Sequence, residues 1–194
     1  GFSCVSLEHY EEKRKNCCVS RSFGKKVTKL EDLSEAITTH CLNAAEKIRL
    51  DKQTVKKITV FIRTSPFQMK NNYYANSKDI DLPIRTNDSI ELVKQALMAL
   101  KCIYKKGYEY QKSGIILSGL NDLNIYKKNL FSLINNEEKR TKLMKAIDYT
   151  NIKYGRHALS IAQACIKNIW ITKRQHSSKI DTACFQFLPT ARAV

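Results

Sequence analysis

The stretch Cys17-Cys18-Val19-Ser20-Arg21-Ser22-Phe23-Gly24 gathers the side chains most able to do chemistry. Adjacent cysteines suggest a disulfide or a metal. An arginine between two serines, followed by an aromatic and a glycine, suggests a backbone laid against phosphates. Successive residues of a strand point to opposite faces, so Cys17 and Cys18 could hardly share a metal. The cysteines at 4, 17, 18, 41, 102, 165 and 184 include no C-x-x-C and no Cys/His cluster at zinc spacing. They read as small apolar residues filling space in a reducing compartment. His9, His40, His157 and His176 are scattered, with no partner at catalytic spacing, and read as structural or surface residues. Glu11, Glu12, Glu31, Asp32, Asp79 and Asp81 fall in a tether, a helix start or an edge strand beside lysines. No catalytic and no metal-binding residue is expected.

Charge points to the partner. With 34 Lys+Arg against 18 Asp+Glu the 194-residue chain carries +16. Residues 1–120 hold 21 basic and 13 acidic side chains (+8), and 121–194 hold 13 and 5 (+8), so the shorter part is more basic per residue. Such a surface favours nucleic acid first, then acidic lipid or acidic protein; the alternative is a solvated surface that binds nothing in particular. A hydrophobic content of 43% suits one packed domain, with or without a smaller appendage. There is no run of 18 apolar residues and no signal peptide, so a cytoplasmic protein with no membrane partner is expected. The chain starts with Gly1, which suggests a piece of a longer protein or a processed chain.

Periodicity supplies the elements that must position these groups. Residues 1–16 read as a tether. Cys17–Val27 is strand-like, with Ser20, Ser22, Gly24 and Lys26 on one face. Thr28-Lys29-Leu30-Glu31 has the form of a capping box, and Leu30, Leu33, Ile37, Cys41, Ala44 and Ile48 then trace one helical face. Ile58, Val60 and Ile62 alternate with Lys57, Thr59, Phe61 and Arg63 in a half-buried strand. Residues 73–84 alternate less cleanly, and Pro83 restricts them to an edge position or a strand end. Asp88 and Glu91 open a second helix along Ile90, Val93, Leu97, Leu100 and Tyr104, with Gly107 as its stop. Residues 108–119 close this part as a strand, with Gly114 a candidate bulge. The predicted fold is α+β: a four-stranded antiparallel sheet with two helices on one face, followed by a small, mostly helical C-terminal region. The open sheet face would carry Arg63, Thr59, Lys112 and the serines. Residues 121–136 read as a connector, Glu137–Tyr154 and Ala158–Trp170 as helices, and 175–194 as irregular.

The motifs CCVSRSFG, ITVFIRTSPF with YYANS, and GYEYQKSGIIL resemble the C-terminal half of UmuC-type Y-family translesion DNA polymerases, the family of the catalytic subunit of bacterial DNA polymerase V. The resemblance covers roughly residues 15–120, with three separated motifs in the family's order. EKRTKLMKAIDYTNIKYGR, IWITKR and LPTARA resemble the region that follows in such chains. The resemblance implies a little-finger domain over 17–120 that grips damaged primer–template DNA without reading sequence, in SOS-type repair. It implies DNA contacts from Ser20, Arg21, Ser22, Phe23, Gly24 and Lys25, from Arg63, and from Gln111, Lys112 and Ser113. Read from the residues alone, Gly24 is equally a turn glycine, Arg63 a solvated strand charge, and Tyr73 and Tyr74 packing residues.

The family also implies partners. A short clamp-docking peptide usually follows the little finger; here Asn129, Leu130 and Phe131 fit it, while Lys127 and Lys128 replace its leading Gln and Leu. A plain amphipathic connector is the other reading. A recombinase filament and UmuD-type accessory subunits are the remaining candidate partners, recruited through 121–194. Magnesium belongs to the parent polymerase's palm carboxylates, which this stretch does not include, so no cofactor and no polymerase activity is expected of the chain itself. Trp170 with Lys173 and Arg174 forms either a basic patch or a helix end with one buried ring.

Overall fold

A computed structural model describes residues 13–67, 73–123, 137–155, 158–164 and 170–172. The elements run β1 (Asn16–Val27), α1 (Leu30–Leu50), β2 (Gln53–Thr64), β3 (Ala75–Thr86), α2 (Ser89–Ile103), β4 (Tyr110–Ser118), β5 (Asn121–Asp122) and α3 (Glu137–Tyr154), with a 3-10 turn at Ala162–Ala164. The four long strands form an antiparallel sheet in the order β1-β4-β2-β3. The α+β architecture expected from periodicity is the one observed. Pro83 lies in β3, an edge strand, where its missing N–H costs no ladder bond.

The core lies between the sheet and the two long helices. Ile58, Val60 and Ile62 of β2 and Ile115 and Leu117 of β4 face Leu33, Ile37, Cys41 and Ile48 of α1 within one buried cluster. On α2 the buried stripe is Leu92, Val93, Ala96, Ala99, Leu100 and Ile103, while Ile90 is exposed. The expected stripe, drawn through the larger apolar residues, was therefore rotated. Alanine at 96 and 99 lets two helices and a sheet approach closely, and size-weighted reading passes over such positions.

Several local expectations are corrected. Lys29, not Thr28, sits at the N-cap of α1, and no side chain caps the helix. The Thr28 carbonyl instead accepts from the Tyr104 hydroxyl, and Glu31 and Asp32 place negative charge in the first turn. Asp88 does cap α2, its carboxylate accepting from the Ile90 N–H at 2.8 Å. Gly114 is no bulge, because pairing runs through it on both sides; the register breaks nearer Tyr110. A fifth strand, β5, pairs with Gln53 and Thr54 where an irregular connector was expected.

The tail also differs. Gly155, at φ +101, follows the end of α3. Described residues 158–161 are not helical, since the Asn151 side chain both donates to the Leu159 carbonyl and accepts from its N–H. Beyond the 3-10 turn at Ala162–Ala164, Trp170 is buried in the core of the sheet domain.

α3 is tied to the same body. Arg49, near the end of α1, makes two bonds of 2.7 Å to the Asp148 carboxylate and others to Asn87 and Ser89. Arg140 pairs with the capping Asp88. At the other end Lys13 reaches Asp122 and Arg14 reaches Asp51, so the described end of the expected tether is held against the α1–β2 turn and β5.

Candidate nucleic-acid interface

The face of the sheet turned away from the helices is built in rows by strand register, because directly paired residues put their side chains on the same side. The first row is Ser22, Lys112, Arg63 and Ala75 across β1, β4, β2 and β3. The second is Ser20, Gly114, Phe61 and Ser77; the third Cys18, Ile116, Thr59 and Asp79; the fourth Asn16, Ser118, Lys57 and Asp81. Four of the expected contact residues, Ser20, Ser22, Arg63 and Lys112, thus occupy two adjacent rows at one end.

The second row is low by construction. A Cβ on Gly114 would collide with Ser20 Cβ and with the Phe61 ring. The absence of a side chain there lets Phe61 lie across the sheet instead of standing up from it. Among the described residues of the adjacent row, no side chain then stands up between Arg63, Lys112 and a polymer laid over the face. Charge is graded along the strands. The first row carries two cations, whereas in the third and fourth rows Lys57 lies 3.8 Å from both Asp79 and Asp81. A polyanion is attracted to one end of the face and repelled from the β3 side of the other.

Other expected contact residues lie elsewhere. Arg21 pairs with Ser113, and both belong to the helix-side parity of the sheet. Ser113 is fully buried, and Arg21 is near enough to His40 to act on its charge state. Gln111 spans the irregular stretch, its amide donating to the Phe23 carbonyl at 3.2 Å. Phe23 is buried edge-to-face against Trp170, with ring centroids 6.1 Å apart. Lys25 is exposed within the irregular stretch before Val27. Asn129, Leu130 and Phe131 lie outside the described residues.

Gly24 does admit a close backbone approach, and the chain's own residues 170–172 make it. The Gly24 N–H donates to the Trp170 carbonyl at 3.0 Å. A Cβ at position 24 would stand 2.8 Å from the Thr172 Cα, and the Thr172 hydroxyl reaches the Ser22 carbonyl at 3.4 Å. Sequence reasoning missed this cover on the outer edge of β1. Its one trace was a glycine inside a strand, which signals close approach without saying of what.

The remaining reactive groups are quiet. Cys17 faces the core and Cys18 the open face, as strand parity required. Burial raises the Cys17 thiol's pKa and pushes that of Cys41 up to about 12, so neither is a thiolate at neutral pH. His40 is buried with its pKa lowered to about 4, first by desolvation and then by the Arg21 charge. It packs edge-to-face on Trp170 at 5.4 Å. Tyr74 packs against Tyr108 and donates to the Ile103 carbonyl, a packing role, while Tyr73 is exposed. Among the described residues no three His, Cys, Asp or Glu side chains converge as a metal site, and no helix is long and apolar enough to cross a membrane.

Residues 14–130 match the impB/mucB/samB family C-terminal domain. Residues 141–191 match a domain of unknown function, DUF4113. The chain is 33% identical to protein ImpB of Salmonella typhimurium over 192 residues, covering 99% of this chain and 45% of that protein. It is 33% identical to protein UmuC of Salmonella typhimurium over 175 residues, covering 90% of this chain and 42% of that protein. The chain thus spans less than half the length of these curated relatives. Among solved structures, the insertion ternary complex of Dbh DNA polymerase overlays with a TM-score of 0.43 and 14% identity, over 56% of this chain and 31% of that one.

Proposed function

Because the chain belongs to the impB/mucB/samB family through its C-terminal domain, we propose that it is the DNA-gripping part of a UmuC-type translesion polymerase. The open sheet face holds primer–template DNA by its phosphate backbone. The observation that carries this reading is the row Ser22–Lys112–Arg63, two cations and a hydroxyl aligned across three strands beside a row in which the Phe61 ring lies over Gly114. Backbone contacts position a duplex without reading its sequence, which suits a polymerase that must accept damaged templates. The acidic side of the far rows sends the DNA across the Lys112–Arg63 end.

Fluorescence anisotropy of primer–template DNA with the full chain across a salt series tests this. Arg63→Glu/Lys112→Glu should weaken binding about tenfold or more on every sequence alike. It should also flatten the salt slope by about two, one unit per lost phosphate contact. Unchanged affinity and slope would remove the sheet face as the site. In the same reading the magnesium-dependent chemistry belongs to a palm domain outside this stretch. Primed template, dNTPs and magnesium should then give no extension above a boiled control.

A second reading makes residues 121–194 a recruiting surface for the sliding clamp, a recombinase filament or UmuD-type subunits. It is favoured by the Arg49–Asp148 and Arg140–Asp88 pairs, which tie α3 to the domain and present that helix to a partner. Leu143→Glu/Ile152→Glu, at exposed positions of α3 that leave Trp170 docked, would support it by sparing DNA binding while abolishing mutagenesis in cells.

A further inference from the structure

We propose that the outward face of α3, in the region matching a domain of unknown function, is a separate binding surface for single-stranded DNA. It goes beyond the sheet-face reading and rests on it only in that DNA is the polyanion.

Lys139, Lys142, Lys145, Tyr149 and Lys153 follow one another at steps of 3, 3, 4 and 4, the spacing of one helical face. All five are exposed, Tyr149 at 65%. None of the four lysines pairs with a carboxylate among the described residues. The opposite side of α3 is fixed by buried Met144, by Asp148 on Arg49 and by Arg140 on Asp88. The helix is therefore held in one orientation, and from Lys139 to Lys153 it displays a basic row about 21 Å long at 1.5 Å per residue.

The chemistry of the row selects the ligand. Four cations without a carboxylate partner among the described residues, Lys153 resting over the Tyr154 ring at 5.2 Å, call for a polyanion. A duplex offers them phosphates but leaves Tyr149 no base face, whereas a single strand offers both phosphates and stackable bases. An amphipathic acidic peptide would need a continuous apolar stripe. The exposed Leu143 and Ile152 are nine residues apart, and at about 100° per residue they stand on opposite flanks of the helix. α3 packs on the helix layer, so its row looks away from the open sheet face. A strand bound there is separate from the duplex on the sheet.

The test uses the full chain, a labelled oligo-dT 20-mer and a duplex of equal length, with binding followed by anisotropy across a salt series. Lys142→Glu/Lys145→Glu/Lys153→Glu should weaken oligo-dT binding at least tenfold and flatten its salt slope by about two. Tyr149→Ser, which leaves charge unchanged, should weaken oligo-dT about fivefold and leave the duplex alone. Trp170 emission and circular dichroism identical to the parent's confirm that each variant is folded. Oligo-dT affinity within twofold of the parent in the triple variant, or Tyr149→Ser without effect, overturns the proposal. The sheet-face reading is judged separately, by duplex binding in Arg63→Glu/Lys112→Glu.

Discussion

The N–H of Gly24 donates to the carbonyl of Trp170 at 3.0 Å, joining the first strand of the sheet to a residue almost 150 positions later. The indole rests edge-to-face on both Phe23 and His40. Residues 170–172 thereby cover the outer edge of β1 beside Ser22 and Gly24. Gly24→Ala puts a methyl group against the Thr172 backbone, and overpacking of this kind costs about 1–3 kcal/mol. Since Trp170 is the chain's one tryptophan, its emission reports the docking directly. A red shift and a lower urea midpoint are expected; unchanged values for both would mean that the segment docks without needing the glycine.

Gly114 and Phe61 form a second pair of this kind. Gly114→Ala should destabilise the domain by about 1–3 kcal/mol, because the methyl group meets the Phe61 ring and Ser20 Cβ together. Adding Phe61→Ala removes one of the two collisions. In a double-mutant cycle read by urea unfolding, the combined loss should be smaller than the sum of the single losses.

His40 makes stability depend on pH. Its folded pKa is about 4 against an ordinary 6.5. Between these values the unfolded chain binds a proton that the folded chain does not. Stability should therefore be fully present above about pH 6.5 and fall as the pH drops towards 4, by up to about 3 kcal/mol. Denaturant melts at several pH values check this, and His40→Leu should flatten the dependence in that window.

Arg21 and Lys112 separate charge from position. Both are basic, but Lys112 lies on the open face and Arg21 on the helix side near His40. Lys112→Glu should weaken primer–template binding several-fold, while Arg21→Glu should change it by less than about twofold. Arg21→Glu should also raise the His40 pKa, measurable by NMR titration, since it removes a cation that disfavours imidazolium. Equal loss of binding in the two variants would contradict the face assignment.

Arg49→Ala should loosen α3 without disturbing Trp170. It removes the two-pronged bond to Asp148 and leaves that partly buried carboxylate unpaired, a loss of about 1–3 kcal/mol. Faster amide exchange confined to α3, with parental Trp170 emission, is the expected pattern. Uniform exchange across the chain would show that α3 does not open on its own.

Much of the architecture was written locally. Alternation at 57–63 and the three-and-four spacing from Leu33 to Ile48 are properties of neighbouring residues, so strand, helix and buried face could be read from them. The same holds for Pro83 at an edge, for Asp88 as a cap, and for Cys17 and Cys18 on opposite faces. Strand parity also put Ser20, Ser22, Thr59, Arg63 and Lys112 on the open side, because one face of each strand had to be buried.

Tertiary structure decided what parity and period do not contain. Register between strands set Ser22, Lys112 and Arg63 in one row, and placed Arg21 and Ser113 on the other side of the sheet. Close packing decided why Gly24 and Gly114 are glycines, one for a backbone from the tail and one for the Phe61 ring. Burial placed Trp170, the expected end of a tail helix, in the core of the sheet domain. A sequence determines which side chains are apolar and how they are spaced. Which surface each is pressed against depends on contacts between residues far apart in the chain, and those exist only once the chain has folded.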